Sequence, residues 1–226
     1  MKITLLGQAG VLLERGGVQI MVDPYLSDSV GKINPENYRR IPADERYFEI
    51  TPDVMIFTHS HLDHYDPETA PRFLEKRDKR MTVLAPTSVW NDARSHGHHN
   101  YVLFDRHTQW SCHGLRFTAV KAAHSDPHAI GVVIEDEVED KTCYITGDTL
   151  YSSDIFADLP EKIDVVFLPI NGVGNNMNVR DAERFAVRTG AKHAVPLHFG
   201  LFDDMDGTEF THFGRILAKA YETVEV

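Results

Sequence analysis

Residues 59–64 read His59-Ser60-His61-Leu62-Asp63-His64, between an apolar run, Val54-Met55-Ile56-Phe57, and a helix start, Asp66-Pro67-Glu68-Thr69. Three imidazoles and a carboxylate within six residues, at a strand-to-helix turn, project several donors into one small volume. Neutral imidazole and carboxylate are the ligands that borderline divalent cations take at about 2.0–2.2 Å. A chain of this composition carries an HxHxDH pattern by chance roughly 0.4% of the time. A surface turn needs Gly, Asn or Asp for its backbone and has no use for three histidines. The stretch predicts a metal centre at the end of a buried strand.

Working outward, residues 3–6, 11–14 and 18–22 read as short strands, the last two joined through Arg15-Gly16-Gly17 as a hairpin. Residues 24–52 read as a loop with at most one helical turn, long enough to have a use. Beyond the motif, residues 70–79 read as a helix with Asp66 as its cap and Pro67 in its first turn. Residues 87–96 read as a second helix, stopped by Gly97. Strands are expected at 81–85, 101–104, 115–122, 131–135 and 142–146. The last third alternates strand 165–169, helix 179–189 capped by Asn178, strand 194–197 and helix 210–221. Strands grouped toward each end, with helices between and after them, predict a four-layer α/β/β/α arrangement with two mixed sheets between helices. No linker breaks the chain, so one domain over 1–226 is expected.

Composition narrows the function. Among 226 residues, Lys and Arg number 23 against 34 Asp and Glu, a net charge of −11 with His neutral. A nucleic-acid binder needs a positive field, so that class is not expected. An anionic small substrate stays open, because a bound cation inverts the local field. Cys112 and Cys143 lie far apart in no CxxC pattern, which suits a reducing compartment. The first residues read as a strand and turn, not a signal peptide, and no apolar run is long enough to span a bilayer. The expectation is a cytoplasmic globular protein acting on a small molecule, with no membrane or nucleic-acid partner; any partner would be further copies of itself.

Three later positions have ligand character. His124 follows strand 115–122, Asp148 follows strand 142–146, and His198 follows strand 194–197. Strand ends are where α/β proteins place their sites. Asp23 ends strand 18–22, where a carboxylate could hold a ligating imidazole in one tautomer. Asp126 and His128 follow His124 closely and are candidates to face the same cleft, His128 as a donor to a leaving alcohol. Asn171 opens an amide-rich loop, Asn171-Gly172-Val173-Gly174-Asn175-Asn176, suited to close backbone approach to a ligand. His96, His98 and His99 sit at a helix end, where imidazole is electrostatically favourable without any metal. No GxSxG elbow is present.

The pattern His59-x-His61-x-Asp63-His64, then His124, Asp148 and His198, resembles the metallo-β-lactamase superfamily of metal-dependent hydrolases. Val22-Asp23-Pro24, Ile145-Thr146-Gly147-Asp148-Thr149, Leu168-Pro169-Ile170 and Val195-Pro196-Leu197-His198 most resemble its branch containing L-ascorbate-6-phosphate lactonase. The resemblance implies the αββα fold. It implies one cation held by His59, His61 and His124, and a second by Asp63, His64 and His198, with Asp148 bridging. Zn2+ or Mn2+ is the expected pair, Fe2+ less so. A hydroxide between two such cations would be the nucleophile, with Asp63 orienting it or relaying its proton, and Asp63 and Asp148 are the candidate catalytic carboxylates. The branch implies opening of a small ester or lactone, with a sugar-phosphate lactone as one form. The alternative is a phosphodiesterase acting on a cyclic nucleotide or other phosphodiester at the same site. Di-iron redox relatives carry a carboxylate in place of the motif's second histidine, and here that residue is His61. A non-catalytic scaffold would be expected to show a damaged ligand set, and all seven positions are intact.

Overall fold

The computed structural model describes residues 1–226, which divide into two compact units. The first comprises 1–103, 200–204 and 218–226; the second comprises 104–199 and 205–217.

The first unit opens with three antiparallel strands, β1 (Lys2–Gly7), β2 (Gly10–Arg15) and β3 (Val18–Val22). It continues through the short helix α1 (Ser29–Ile33), strand β4 (Val54–Ile56), helix α2 (Ala70–Leu74), strand β5 (Thr82–Ala85), helix α3 (Thr87–Ser95) and strand β6 (Asn100–Leu103). Strands β3 to β6 pair in parallel, and a C-terminal strand, Thr223–Glu225, closes the other edge against β1. The sheet is therefore mixed. Val54, Met55, Ile56 and Phe57 are fully buried, as the apolar run before the histidine motif leads one to expect. Burial of each such side chain contributes about 1.5–3 kcal/mol relative to exposure. The residues around 24–52 are more ordered than a plain loop: besides α1 they form 3₁₀ turns at Pro35–Asn37 and Glu45–Glu49. Arg39 ties this segment down, donating to the carbonyls of Tyr25 and Ile41 and to the Tyr221 hydroxyl.

The second unit carries the antiparallel strands β7 (Gln109–Cys112), β8 (Leu115–Lys121), β9 (Ile130–Asp136) and β10 (Lys141–Ile145). To these, β11 (Val165–Pro169) and β12 (His193–Leu197) add in parallel, giving a second mixed sheet. Helix α4 (Val179–Thr189) starts at Asn178, whose side chain accepts from Asp181 N, and stops at Gly190 in the left-handed region. Its Phe185 and Ala186 pack with Tyr144, Val166 and Leu168 in this unit's core.

Two helices differ from expectation. Helix α2 ends at Leu74, well short of 79. Residues 210–221 form no helix at all. There Gly214 O accepts from Ala194 N and Ala194 O accepts from Ile216 N, so this backbone runs along the edge of β12. A Cβ on Gly214 would stand 1.8 Å from the Lys192 carbonyl oxygen, a contact only glycine permits. Pairing with the sheet edge overrides the helical spacing of the apolar residues.

One buried carboxylate pins the approach to His124. Asp158 receives a bidentate pair from Arg106 at 2.7 and 2.8 Å, and it also accepts from Lys121 N at 2.9 Å. The Arg106 hydrogen bond holds the Asp158 carboxyl well below the usual range, against the opposing effect of burial. A depressed carboxylate value stabilises the fold above the unfolded value of about 3.9 and ceases to as pH falls through the folded value. Asp158→Asn is therefore expected to lower the melting temperature at pH 7, with the gap to the wild type closing progressively below about pH 4. Thermal unfolding across that range checks this, and a gap independent of pH would refute it.

Candidate metal centre

In both units the sheet delivers the predicted residues at the C-terminal ends of strands. Asp23 follows β3 and His59, His61, Asp63 and His64 follow β4 in the first unit. His124 follows β8, Asp148 follows β10, Asn171 follows β11 and His198 follows β12 in the second.

In the first unit a buried network fixes two rings. The Thr58 hydroxyl donates to Asp23 Oδ2 at 2.5 Å and lies 3.0 Å from His59 Nδ1. A hydroxyl has one proton, so having given it to the carboxylate it accepts from His59 Nδ1–H. Nε2 of His59 is then the nitrogen with the lone pair. Asp23 Oδ2 likewise accepts from His64 Nδ1 at 2.8 Å, which leaves the His64 lone pair on Nε2. Asp23 Oδ1 accepts from Thr58 N at 2.8 Å. His59, His64 and Asp23 are all buried. His59 Nε2 and His61 Nδ1 stand 3.1 Å apart. Two nitrogens bound to one cation at 2.0–2.1 Å lie roughly 3.3 Å apart at a tetrahedral angle, so this spacing suits a shared ion. Asp63 Oδ2 lies 4.0 Å from His64 Nε2 and accepts from Gln8 Nε2 at 2.8 Å.

The second unit repeats the logic. His124 Nδ1 lies 3.3 Å from the Asn175 carbonyl. A carbonyl only accepts, so Nδ1 carries the proton and Nε2 the lone pair. The Asn176 amide is fixed without ambiguity, because its Oδ1 accepts from Thr149 N at 3.0 Å while its Nδ2 donates to Asp148 Oδ2 at 2.8 Å. His198 Nε2 is 3.2 Å from that same Oδ2. Asn171 Nδ2 faces His198 Nδ1 at 3.0 Å, and the Asn171 Oδ1 is buried with no hydrogen-bond partner. A half-turn of this amide puts Oδ1 on an Nδ1–H and leaves His198 its Nε2 lone pair, the usual outer-shell arrangement of a metal-binding histidine. The donor set thus fits divalent cations on this chain's own hydrogen bonding.

The remaining candidates are placed differently. Asp126 is buried, and its Oδ1 caps a turn by accepting from His128 N. His128 is exposed and lines a cavity of about 230 Å3 with Asp105, Arg106, Lys121 and Ala129. His99 accepts from Met81 N through Nδ1, a structural contact at the helix end. Gln8 and Thr58 were not marked by any sequence pattern. Thr58 directly precedes the motif, whereas Gln8 has no local signal at all.

The family model of the beta-lactamase superfamily domain matches residues 19–199 and so spans parts of both units. A UPF0173 metal-dependent hydrolase of Ligilactobacillus salivarius is 30% identical over 215 residues, 89% of this chain and 86% of its own length. A UPF0173 protein of Pyrococcus furiosus is 28% identical over 214 residues, 93% of this chain and 89% of its own. Among solved structures, the metallo hydrolase Igni18 of Ignicoccus hospitalis superposes with a TM-score of 0.74 at 20% identity, covering 99% of this chain and 97% of its own. An isothiocyanate hydrolase from Delia radicum gut bacteria does so with a TM-score of 0.76 at 20% identity, covering 100% and 99%. The fold is that of the metallo-β-lactamase hydrolases, two mixed sheets with their helices. The chain belongs to the metallo-β-lactamase superfamily, and within it to the metal-dependent hydrolases. No helix is long and apolar enough to cross a membrane.

Proposed function

We propose that this metal-dependent hydrolase opens small carboxylic esters, lactones foremost, at a centre of two divalent cations, Zn2+ or Mn2+. The observation that carries the reading is the tautomer locking of His59, His64 and His124. Each has Nδ1 committed to an acceptor within 3.3 Å and so offers Nε2. Following the superfamily resemblance, His59, His61 and His124 would hold one cation, Asp63, His64 and His198 the other, and Asp148 would serve both. Bound there, the cations supply a water acidic enough to ionise near neutral pH and a counter-charge for the developing oxyanion. Asp63 would orient the attacking water and take its proton, while Asn176 keeps the Asp148 carboxylate in one rotamer.

Two further observations support the reading, the first bearing on water as the nucleophile and the second on an uncharged ester group. The Cys143 thiol is pushed up to about 12 by burial, so it is protonated at neutral pH and is no nucleophile. Arg106 and Lys121, which line the cavity beside the His124 turn, are already paired with Asp158 and Asp154. That lining offers an anionic phosphodiester little extra attraction, which favours an uncharged ester group. A phosphate elsewhere on the substrate draws on the lactonase resemblance alone. The test strips the protein, reloads it with Mn2+ or Zn2+, and compares a sugar lactone, its phosphorylated counterpart and bis(p-nitrophenyl) phosphate. Lactone kcat/KM about 100-fold above the diester, roughly 2.7 kcal/mol of discrimination, is expected. The reverse ratio would move the enzyme to phosphodiester hydrolysis and make cyclic nucleotides the next substrates.

A further inference from the structure

Gln8 lies in the tight turn between β1 and β2, flanked by Gly7 and Gly10, which pair across the hairpin. Its φ of +50° is in the left-handed region, where turns ordinarily use Gly, Asn or Asp. The residue is 5% exposed, and its Nε2 donates at 2.8 Å to Asp63 Oδ2, across 55 residues of sequence. A long amide held in an unfavourable backbone conformation and buried against one motif carboxylate needs a reason. The turn does not supply it, since glycine would satisfy the turn better.

We propose that Gln8 is a positioning residue for Asp63. It holds one carboxylate oxygen so that the group keeps a single orientation toward the cation and the attacking water. The inference rests on the reading of Asp63 as a ligand and proton acceptor. The chemistry of the donor matters. An amide N–H restrains the carboxylate without bringing a positive charge, so Asp63 keeps its full charge for the cation. A Lys or Arg in the same place would neutralise it. The bonded oxygen is also the one 4.0 Å from His64 Nε2, so the restraint acts on the side of Asp63 that faces its neighbouring donor. In the second unit Asn176 makes the equivalent amide-to-carboxylate bond to Asp148, again at 2.8 Å.

The test compares Gln8→Met, similar in length without the donor, and Gln8→Asn, which tolerates a positive φ but is one methylene short. Asp63→Asn and the double variant Gln8→Met/Asp63→Asn complete a cycle. Affinity of the stripped protein for Mn2+ and for Zn2+ is measured by calorimetry, alongside kcat, KM and melting of the stripped protein. Both Gln8 variants are expected to bind cation about 10–100-fold more weakly and to lose kcat with little change in KM, while the stripped proteins melt near the wild type. The double variant is expected to be no worse than Asp63→Asn, because Gln8 acts through that carboxylate. Unchanged affinity and kcat in both Gln8 variants, with Asp63→Asn impaired, would overturn the role of Gln8. So would additive losses in the double variant. Intact cation binding in Asp63→Asn would instead remove Asp63 from the ligand set, and the inference with it.

Discussion

Asp148→Asn is expected to reduce kcat/KM by about 10³-fold or more, equivalent to about 4 kcal/mol of transition-state stabilisation, while the protein still unfolds cooperatively. The two halves of this expectation have separate causes. Asp148 is buried, and an amide of the same shape can keep its oxygen where Oδ2 stands, so that Asn176 Nδ2 still donates to it at 2.8 Å. The fold therefore loses little. What disappears is a negative charge at the position proposed to serve both cations, and with it the charge balance that keeps two dications close. His61→Ala is expected to act alike, because His61 is only half-buried and its loss removes one of two nitrogens spaced 3.1 Å apart. Steady-state kinetics with metal content measured on the same samples checks both, and full activity in either variant would sink the two-cation reading.

The largest effect on stability is expected at Asp23. Its carboxylate accepts from Thr58 N, Thr58 Oγ1 and His64 Nδ1, all inside a region with almost no solvent access. Asp23→Ala strands three buried donors at about 1–3 kcal/mol each, offset in part by relaxation, for a net loss of about 3–5 kcal/mol. Against a total stability of about 5–15 kcal/mol this is severe, and at about 2–4 °C per kcal/mol it lowers melting by about 10 °C. The same variant frees the His64 ring to rotate and change tautomer, so cation affinity is expected to fall about 10–100-fold as well. Asp23→Asn keeps the shape and tolerates the φ of +43°, and should fall between the two. Melting and cation titration of the stripped proteins separate these effects. Wild-type values for Asp23→Ala in both would remove Asp23 from the network.

The sequence made legible what is local. Four candidate ligands lie within six residues, and the apolar run before them is the buried strand β4, so motif and placement come from one stretch. His124, Asp148 and His198 could be picked out because each follows an apolar strand, and Asp23 because it ends one. Gln8 could not. Its contact with Asp63 depends on where the β1–β2 turn lies against the loop after β4, which is decided by strand pairing and has no trace in spacing. Thr58 was hidden for another reason: a threonine at the end of a strand looks like ordinary strand chemistry until its single proton is traced. Residues 210–221 depart from the expected helix because backbone pairing with β12, permitted by Gly214, outweighs a side-chain pattern that suits a helix.

Four residues next to the candidate ligands, or among them, share a positive φ: Gln8 (+50°), Asp23 (+43°), Asn175 (+66°) and His198 (+60°). For an engineer altering substrate preference, these are closed doors: a β-branched or bulky replacement would strain the main chain before it met any substrate. The freedom lies between them. Val173 and Leu150 belong to the Asn-Gly segment and the turn it rests on, they are 68% and 45% exposed, and neither has a positive φ. A library confined to such positions is expected to alter substrate preference while leaving the groups proposed to hold the cations as they are.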